Sequence, residues 1–410
     1  MPVVSALLLF MSCWLTGYIV YLWISGEKLV LPRYQVFFLG VLAVVFLSVI
    51  FSLYQYHSII PHWNKTVAVL FSGKKVLLKN AIGWILLGLV QWSAGPLFFV
   101  YIYDWLKRYN ESDRIIRCLS AGILLSICIA VYQKFFHTGF GDTLGFSKRE
   151  GRVNGGCFEH NAFAYMLYLS TVLLITAFIK TQNKQRYLFL GGLVLAVFAL
   201  YLSGIRAALA GTIAVCIISM VLMLWEKDLR TRYLLPFTLF LVIIILYAFL
   251  PLPTSGRLSQ LGKNIHKSSS PFTVINQERG PYWKVGIHIT EKYLPLGTGV
   301  GRYLLVLPDF LRSSHLKIWT TNENTCNYYI QIAAEMGLIG VLMFGLMLIN
   351  VFSQVLNTLN LERYTGTDKR IIAISIAIML VLLMTWPHLQ DLEVSLLFWT
   401  LVAMIWEDAC

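Results

Sequence analysis

Long runs of apolar residues with almost no charge limit what this chain folds into more than any other feature. Val3–Trp23, Gln35–Tyr54, Ile82–Trp105, Ile115–Tyr132, Ala162–Phe178, Tyr187–Leu202, Ala207–Trp225, Leu234–Leu250, Leu338–Val355, Ile371–Trp386 and Val394–Trp406 are such runs. Each has, or nearly has, the roughly 20 apolar residues that a helix needs to cross a bilayer. Only 13% of the chain is charged and 58% is hydrophobic, against about 25% charged in a soluble domain. The fold expected is an all-α polytopic membrane protein with about 11 (10–12) spans. Ile82–Trp105 reads equally as one long helix or as a broken one. The first run lacks a basic start and a small-residue cleavage site, so it is kept as a helix.

Basic residues set the orientation. Lys28 and Arg33, then Lys107, Arg108, Arg114 and Arg117, then Lys180, Lys184 and Arg186, then Lys227, Arg230 and Arg232, then Arg363, Lys369 and Arg370 fill alternate short loops. Short basic loops mark the cytoplasmic side. The N-terminus is then expected outside and the C-terminus inside. The long segments 56–80, 133–158 and 251–323 fall outside. The domains expected are 1–250, eight helices with short loops; 251–323, one large outer loop; and 324–410, a polar-stripe helix and the last three spans. The net charge of +13 leaves the outer side rich in cations as well, which suits an anionic ligand or lipid headgroups. No soluble basic domain is present to hold nucleic acid.

Within the outer loop, Tyr282, Val285, Gly286, Ile289 and Tyr293 recur at helical spacing, so Pro281–Leu294 reads as an amphipathic helix opened by proline. A glycine-rich turn, Leu296 to Arg302, follows. Glu323, Asn327, Gln331 and Glu335 stand four residues apart and make one polar stripe if the segment is helical. Taken alone, such a stripe reads as the solvated face of an interfacial helix.

Three arginines lie where arginine is costly or near a helix start. Arg206 sits between two apolar runs with almost no loop, where a cation either faces a cavity or snorkels to the headgroups. Arg152 precedes a helix, and Arg279 opens the amphipathic one. Guanidinium forks match phosphate oxygens and stay charged, so a diphosphate is the kind of ligand such a set serves. His160, His288, His315 and His388 each read as structural or solvated. No Cys/His cluster has zinc-ligand spacing. Cys157 and Cys326 both fall on the outer side, and spacing leaves their pairing open.

Several of these pieces together resemble the O-antigen ligase and O-antigen polymerase family of bacterial inner membranes. Cys326-Asn327, nine residues, then Gly337-Leu338-Ile339-Gly340 resembles its His-Asn, nine residues, Gly-x-x-Gly motif. Ser203-Gly204-Ile205-Arg206 is similar to its Ser-Arg-Gly/Ala step. Arg152 to Asn161 resembles its Arg-x-x-Gly…Asn segment, and Arg279…Trp283…Pro295 to Gly301 its Arg…Trp…Pro-x-x-Gly-x-Gly block. The resemblance spans about residues 145–345.

It implies glycosyl transfer on the periplasmic face from a glycan on undecaprenyl diphosphate, with no metal and no cofactor. Arg206 and Arg279, with Arg152, become the diphosphate-binding residues. Cys326, Glu323 and Asn327 become the catalytic candidates, since the chain carries cysteine where ligases carry the histidine. That departure favours a polymerase, which joins two lipid-linked units. A ligase acting on lipid A–core or another acceptor is the alternative. A flippase would place polar groups midway through several helices, and here the helix centres are nearly free of charge.

Overall fold

The computed structural model describes residues 17–32 (except 19 and 23), 35–55, 81–136, 153–157, 160–181, 184–225, 238, 271–314, 324–360, 366–385 and 387–406. Among these, regular structure is helical throughout: α1 Gln35–Tyr54, α2 Ala81–Tyr109, α3 Ser112–Phe135, α4 His160–Lys180, α5 Arg186–Ser203, α6 Arg206–Trp225, α7 Pro271–Tyr293, α8 Tyr303–Ser314, α9 Tyr328–Leu359, α10 Thr367–Leu382, a 3₁₀ turn His388–Gln390, and α11 Leu392–Trp406. Seven of them, α1 to α6 and α9, are long and apolar enough to cross a membrane. α10 and α11 are apolar but shorter, at 16 and 15 residues. The run Leu234–Leu250 and most of Val3–Trp23 lie outside the described residues.

Ile82–Trp105 is one helix, α2, and it carries Pro96 in its interior. α4 is the hub. It packs against α3, α5, α6, α10 and α11, and every residue from Ala162 to Phe178 is buried. A helix apolar on all sides either faces lipid or is enclosed by protein, and α4 is enclosed.

Charges gather at one end of the bundle. Asp104, fully buried, accepts from Arg108 Nε at 2.9 Å, from the Val30 amide at 2.6 Å and from the Tyr18 hydroxyl. Arg108 also pairs with Glu27. Lys180, at the end of α4, reaches Asp368 at 3.3 Å and Asp113 at 3.7 Å. Four of the short loops with basic residues therefore meet at one end.

At the opposite end the glycine turn is built into the bundle. Gly297, Gly299 and Gly301 all have positive φ. The Thr298 and Gly299 amides donate to the Ala334 and Glu335 carbonyls at 2.8 Å, and the Leu338 amide donates to the Pro295 carbonyl at 2.9 Å. Gly337 breaks α9 at that point with φ 62 and ψ −155. The Val300 amide donates to Ser48 Oγ and Ser52 Oγ donates to the Val300 carbonyl, both at 3.0 Å, which ties the turn to α1.

Two expectations change here, and one open question is answered. The amphipathic helix starts at Pro271, ten residues early, and Pro281 lies inside it. The lost amide at Pro281 breaks one hydrogen bond, yet the helix continues because Tyr282, Val285 and Ile289 bury the expected face. The polar stripe is not solvated. Asn327, Gln331 and Glu335 are all buried, and Glu323 lies outside the described residues. Glu335 accepts from Trp92 Nε1 at 2.7 Å and Gln331 Nε2 at 3.1 Å, with the Gly301 and Tyr303 amides also bonded to it. The pairing of Cys157 and Cys326, left open by the sequence, is not made: neither is in a disulfide.

Gly337 supplies a direct test. A Cβ there would stand 2.0 Å from the Pro295 carbonyl oxygen, in a backbone region essentially reserved for glycine. Gly337→Ala is expected to destabilise the detergent-solubilised protein by at least about 1–3 kcal/mol. Gly345→Ala, on the same helix with open space around it, should leave thermal unfolding unchanged or slightly raised.

Candidate functional site

The ends of α4, α7, α9 and α10 on the glycine-turn side of the bundle converge next to that turn. The 326–328 turn is fixed first. Asn327 caps α9, its side chain accepting from the Tyr329 and Ile330 amides. Thr325 Oγ1 donates to the Asn327 carbonyl at 2.7 Å, and the Cys326 amide donates to Asn324 Oδ1 at 3.1 Å. Cys326 itself is held at φ 53, a left-handed conformation that a non-glycine residue adopts only when its surroundings impose it.

Two elements then dock on this turn. The Tyr328 amide donates to the Leu383 carbonyl at 2.9 Å, bringing in the end of α10. Trp283 Nε1 donates to the Cys326 carbonyl at 3.3 Å, bringing in α7. Arg279 precedes Trp283 by four residues and so shares its face of α7. Gly286 makes the approach close, since a Cβ there would meet Thr325 and Ile330 at 2.8 and 2.7 Å.

Beyond Leu383 the chain turns back through Thr385 and His388. Tyr165, near the N-terminal end of α4, shares a hydrogen bond of 3.1 Å between its hydroxyl and Thr385 Oγ1. Its ring lies against the His388 imidazole, centroid to centroid 3.3 Å. His388 is 1% exposed. Among the described residues, neither of its ring nitrogens has a hydrogen-bond partner, and the buried Nη1 of half-buried Arg279 has none either. Burial, and then the charge of Arg279, pushes the His388 imidazole well below the ordinary histidine range. Buried polar atoms are almost always paired in folded proteins, so three orphans in one cluster single this place out.

The expected site residues are distributed unevenly. Arg279, Cys326 and Asn327 lie in or beside this cluster. Arg206 opens α6 and is exposed. Gly211 of α6 packs against Leu382 and Tyr168, so Arg206, about one and a half turns further on, stands at the same end of the bundle. Gly204, left-handed with φ 72, closes α5 and makes the sharp turn into α6. Arg152 and Glu323 lie outside the described residues. Tyr165, Thr385 and His388 carry no motif that marks them, and a lone histidine between two apolar runs gives no hint of its surroundings.

The class is that of a polytopic helical membrane protein with a polar cluster at one end. A family model described as O-antigen ligase matches residues 191–345. Over that segment, which contains Arg206, Arg279, the glycine turn and the Cys326–Gly340 motif, the chain is similar to O-antigen ligases. Tyr165, Thr385 and His388 lie outside it. No curated protein matches the chain.

The His388 shift has a stability consequence. With its folded pKa depressed, the unfolded chain binds more protons than the folded one between the two pKa values, so stability rises with pH there. The histidine's contribution is complete above the ordinary range of about 6.5 and is lost as pH falls below it. Thermal midpoints followed from pH 7.5 to 5 should drop. His388→Gln should flatten the drop by up to about 1.4 kcal/mol per pH unit, whereas an identical slope would contradict the buried neutral imidazole.

Proposed function

We propose that this chain transfers a glycan, on the periplasmic face of a bacterial inner membrane, from undecaprenyl diphosphate to an acceptor, in the manner of an O-antigen polymerase. The family match supports O-antigen ligase/polymerase-like glycosyl transfer in general. The observation that carries the finer reading is Arg279. Its guanidinium is half-buried beside the 326 turn, with Nη1 buried and unpaired among the described residues. A cation so placed matches the charge that builds on a departing diphosphate.

Arg206 adds a second cation at that end, on the first residue of α6. A cation at a helix N-terminus is opposed by the helix dipole, whereas an anion there is favoured. An arginine at this position therefore makes physical sense when an anion is bound beside it. Arg152 completes the proposed diphosphate set. Cys326 and Asn327, at the motif positions, and Glu323, one turn earlier in the sequence, are the candidates for the acceptor side.

Cysteine in place of the motif histidine favours the polymerase over the ligase. The donor is then a lipid-linked glycan and the acceptor a second one. The ligase reading replaces that acceptor with lipid A–core. The proposed topology puts the N-terminus in the periplasm and the C-terminus in the cytoplasm, with the shared basic end of the bundle facing inward.

Deletion of the gene separates the readings. A polymerase deletion leaves surface glycan capped with single repeat units, and a ligase deletion leaves full chains on the carrier lipid. Complementation with Arg279→Ala or Arg206→Ala should lower polymer formation about 100-fold or more, the scale seen when one charge-stabilising donor is removed. Wild-type chain lengths in both variants would sink the diphosphate assignment. An unchanged glycan profile in the deletion strain, or a flippase-like loss of all outward lipid-linked units, would sink glycosyl transfer itself.

A further inference from the structure

We propose that His388 is the acid–base residue of this site, performing from the α10–α11 turn the proton transfer that the family motif locates at position 326. The inference rests on the glycosyl-transfer reading above and adds to it a residue outside the matched segment.

Placement makes the first argument. The turn after α10 is bonded to the 326–328 turn through the Tyr328 amide and the Leu383 carbonyl. Position 326 and His388 are thus two sides of one junction. The Cys326 main chain is occupied in holding that junction together, its amide on Asn324 and its carbonyl on Trp283.

Preorganisation makes the second. The imidazole lies against the Tyr165 ring, and Thr385 fixes the Tyr165 hydroxyl. Both ring nitrogens are buried and unpaired among the described residues, as is Arg279 Nη1. Leaving such groups without partners costs about 1–3 kcal/mol each. One polar ligand with an anionic part for Arg279 and a hydroxyl for the imidazole satisfies both side chains. Arg279, the less buried of the two, is the side from which the pair is reached.

Electrostatics makes the third. Among the described residues, Arg279 from α7 and Tyr165 from α4 stand by His388, and Asp391 and Glu393 follow it on its own segment. With Arg279 un-neutralised, the imidazole stays neutral, the form a base needs. An arriving diphosphate offsets the Arg279 charge and raises the imidazole's proton affinity at the moment when a proton must be taken.

The step balances as follows. The acceptor oxygen bonds to the anomeric carbon while its hydroxyl proton passes to a ring nitrogen of His388. The bond from the anomeric carbon to the phosphate oxygen breaks, and its electron pair leaves with undecaprenyl diphosphate, whose charge Arg279 offsets. The imidazolium then returns its proton to water.

Two measurements on the full chain test this. In the deletion strain, His388→Gln that folds, as judged by thermal unfolding of the purified protein, should lose polymer to the level of Arg279→Ala. A folded His388→Gln with wild-type chain lengths overturns the proposal. Where that variant fails to fold, the wild-type protein decides. Hydrogen exchange at the imidazole C2 position, read by mass spectrometry on the peptide holding His388, should change at least twofold when undecaprenyl diphosphate is added. An unchanged rate overturns the proposal. Loss of activity in Arg279→Ala with retention in folded His388→Gln removes only the His388 assignment. An unaltered glycan profile in the deletion strain removes the reading beneath it.

Discussion

One half of this structure depends on one contact, the seating of the glycine turn on the break in α9. Gly297 and Gly337 approach so closely that a Cβ on either would lie within 2.6 Å of the other's backbone. Only two residues without side chains bring main chains that near. The break at Gly337 frees carbonyls and amides of α9, and residues 295–299 of the turn take them up. Glu335 then reaches back to hold the far side of the turn through Gly301 and Tyr303. Trp92, Gln331 and the two amides that bond to it are all neutral N–H donors. A buried carboxylate loses several kcal/mol of hydration, and it needs every one of these donors to recover that loss. The contact therefore forms as a unit, and it fixes the C-terminal end of α7.

α7 positions the chemistry. Its end is held by the glycine turn and its middle by Trp283 on the Cys326 carbonyl. Val285 and Ile289 pack with Tyr303, Leu307 and Ala334 in a small separate core. Arg279 is carried on that packed helix, and among the described residues no ion pair holds it. On the other side, Tyr165 is rooted in α4, the helix most fully enclosed by its neighbours. Side chains on rigid, enclosed helices hold their geometry better than side chains on loops, and the cluster joins one side chain of each kind of support.

Much of this was legible in the sequence, and the rest was hidden for definite reasons. The apolar run Gln35–Tyr54 is α1 residue for residue, because its ends are marked by polar flanks. Periodicity found the buried face of α7 correctly. It misplaced the start, because Pro281 is a common first residue of helices and only tertiary packing carries the helix through it. The stripe from Asn327 to Glu335 was read as solvated because four-residue spacing shows which residues share a face and says nothing of what covers that face. Trp92 and the glycine turn, the partners that bury it, lie far away in the chain. His388 was invisible for the same reason, since its surroundings come from α4 and α7.

The cysteine at position 326 gains its meaning from this arrangement. Two demands fall on that position: a backbone able to hold a left-handed turn between α7 and α10, and, in the family motif, an imidazole. The first is a property of the main chain and of Asn324, Thr325 and Asn327 around it. The second is a property of one side chain, and a neighbouring segment can supply it. A buried thiol is a poor substitute for an imidazole, since apolar surroundings disfavour the thiolate. Once the α10–α11 turn presents a histidine beside Arg279, the side chain at 326 is released from the chemistry while the turn it sits on is not. The motif then persists as Asn327 and the two glycines, the parts that shape the backbone, and the residue that moves protons lies more than sixty positions further along the chain.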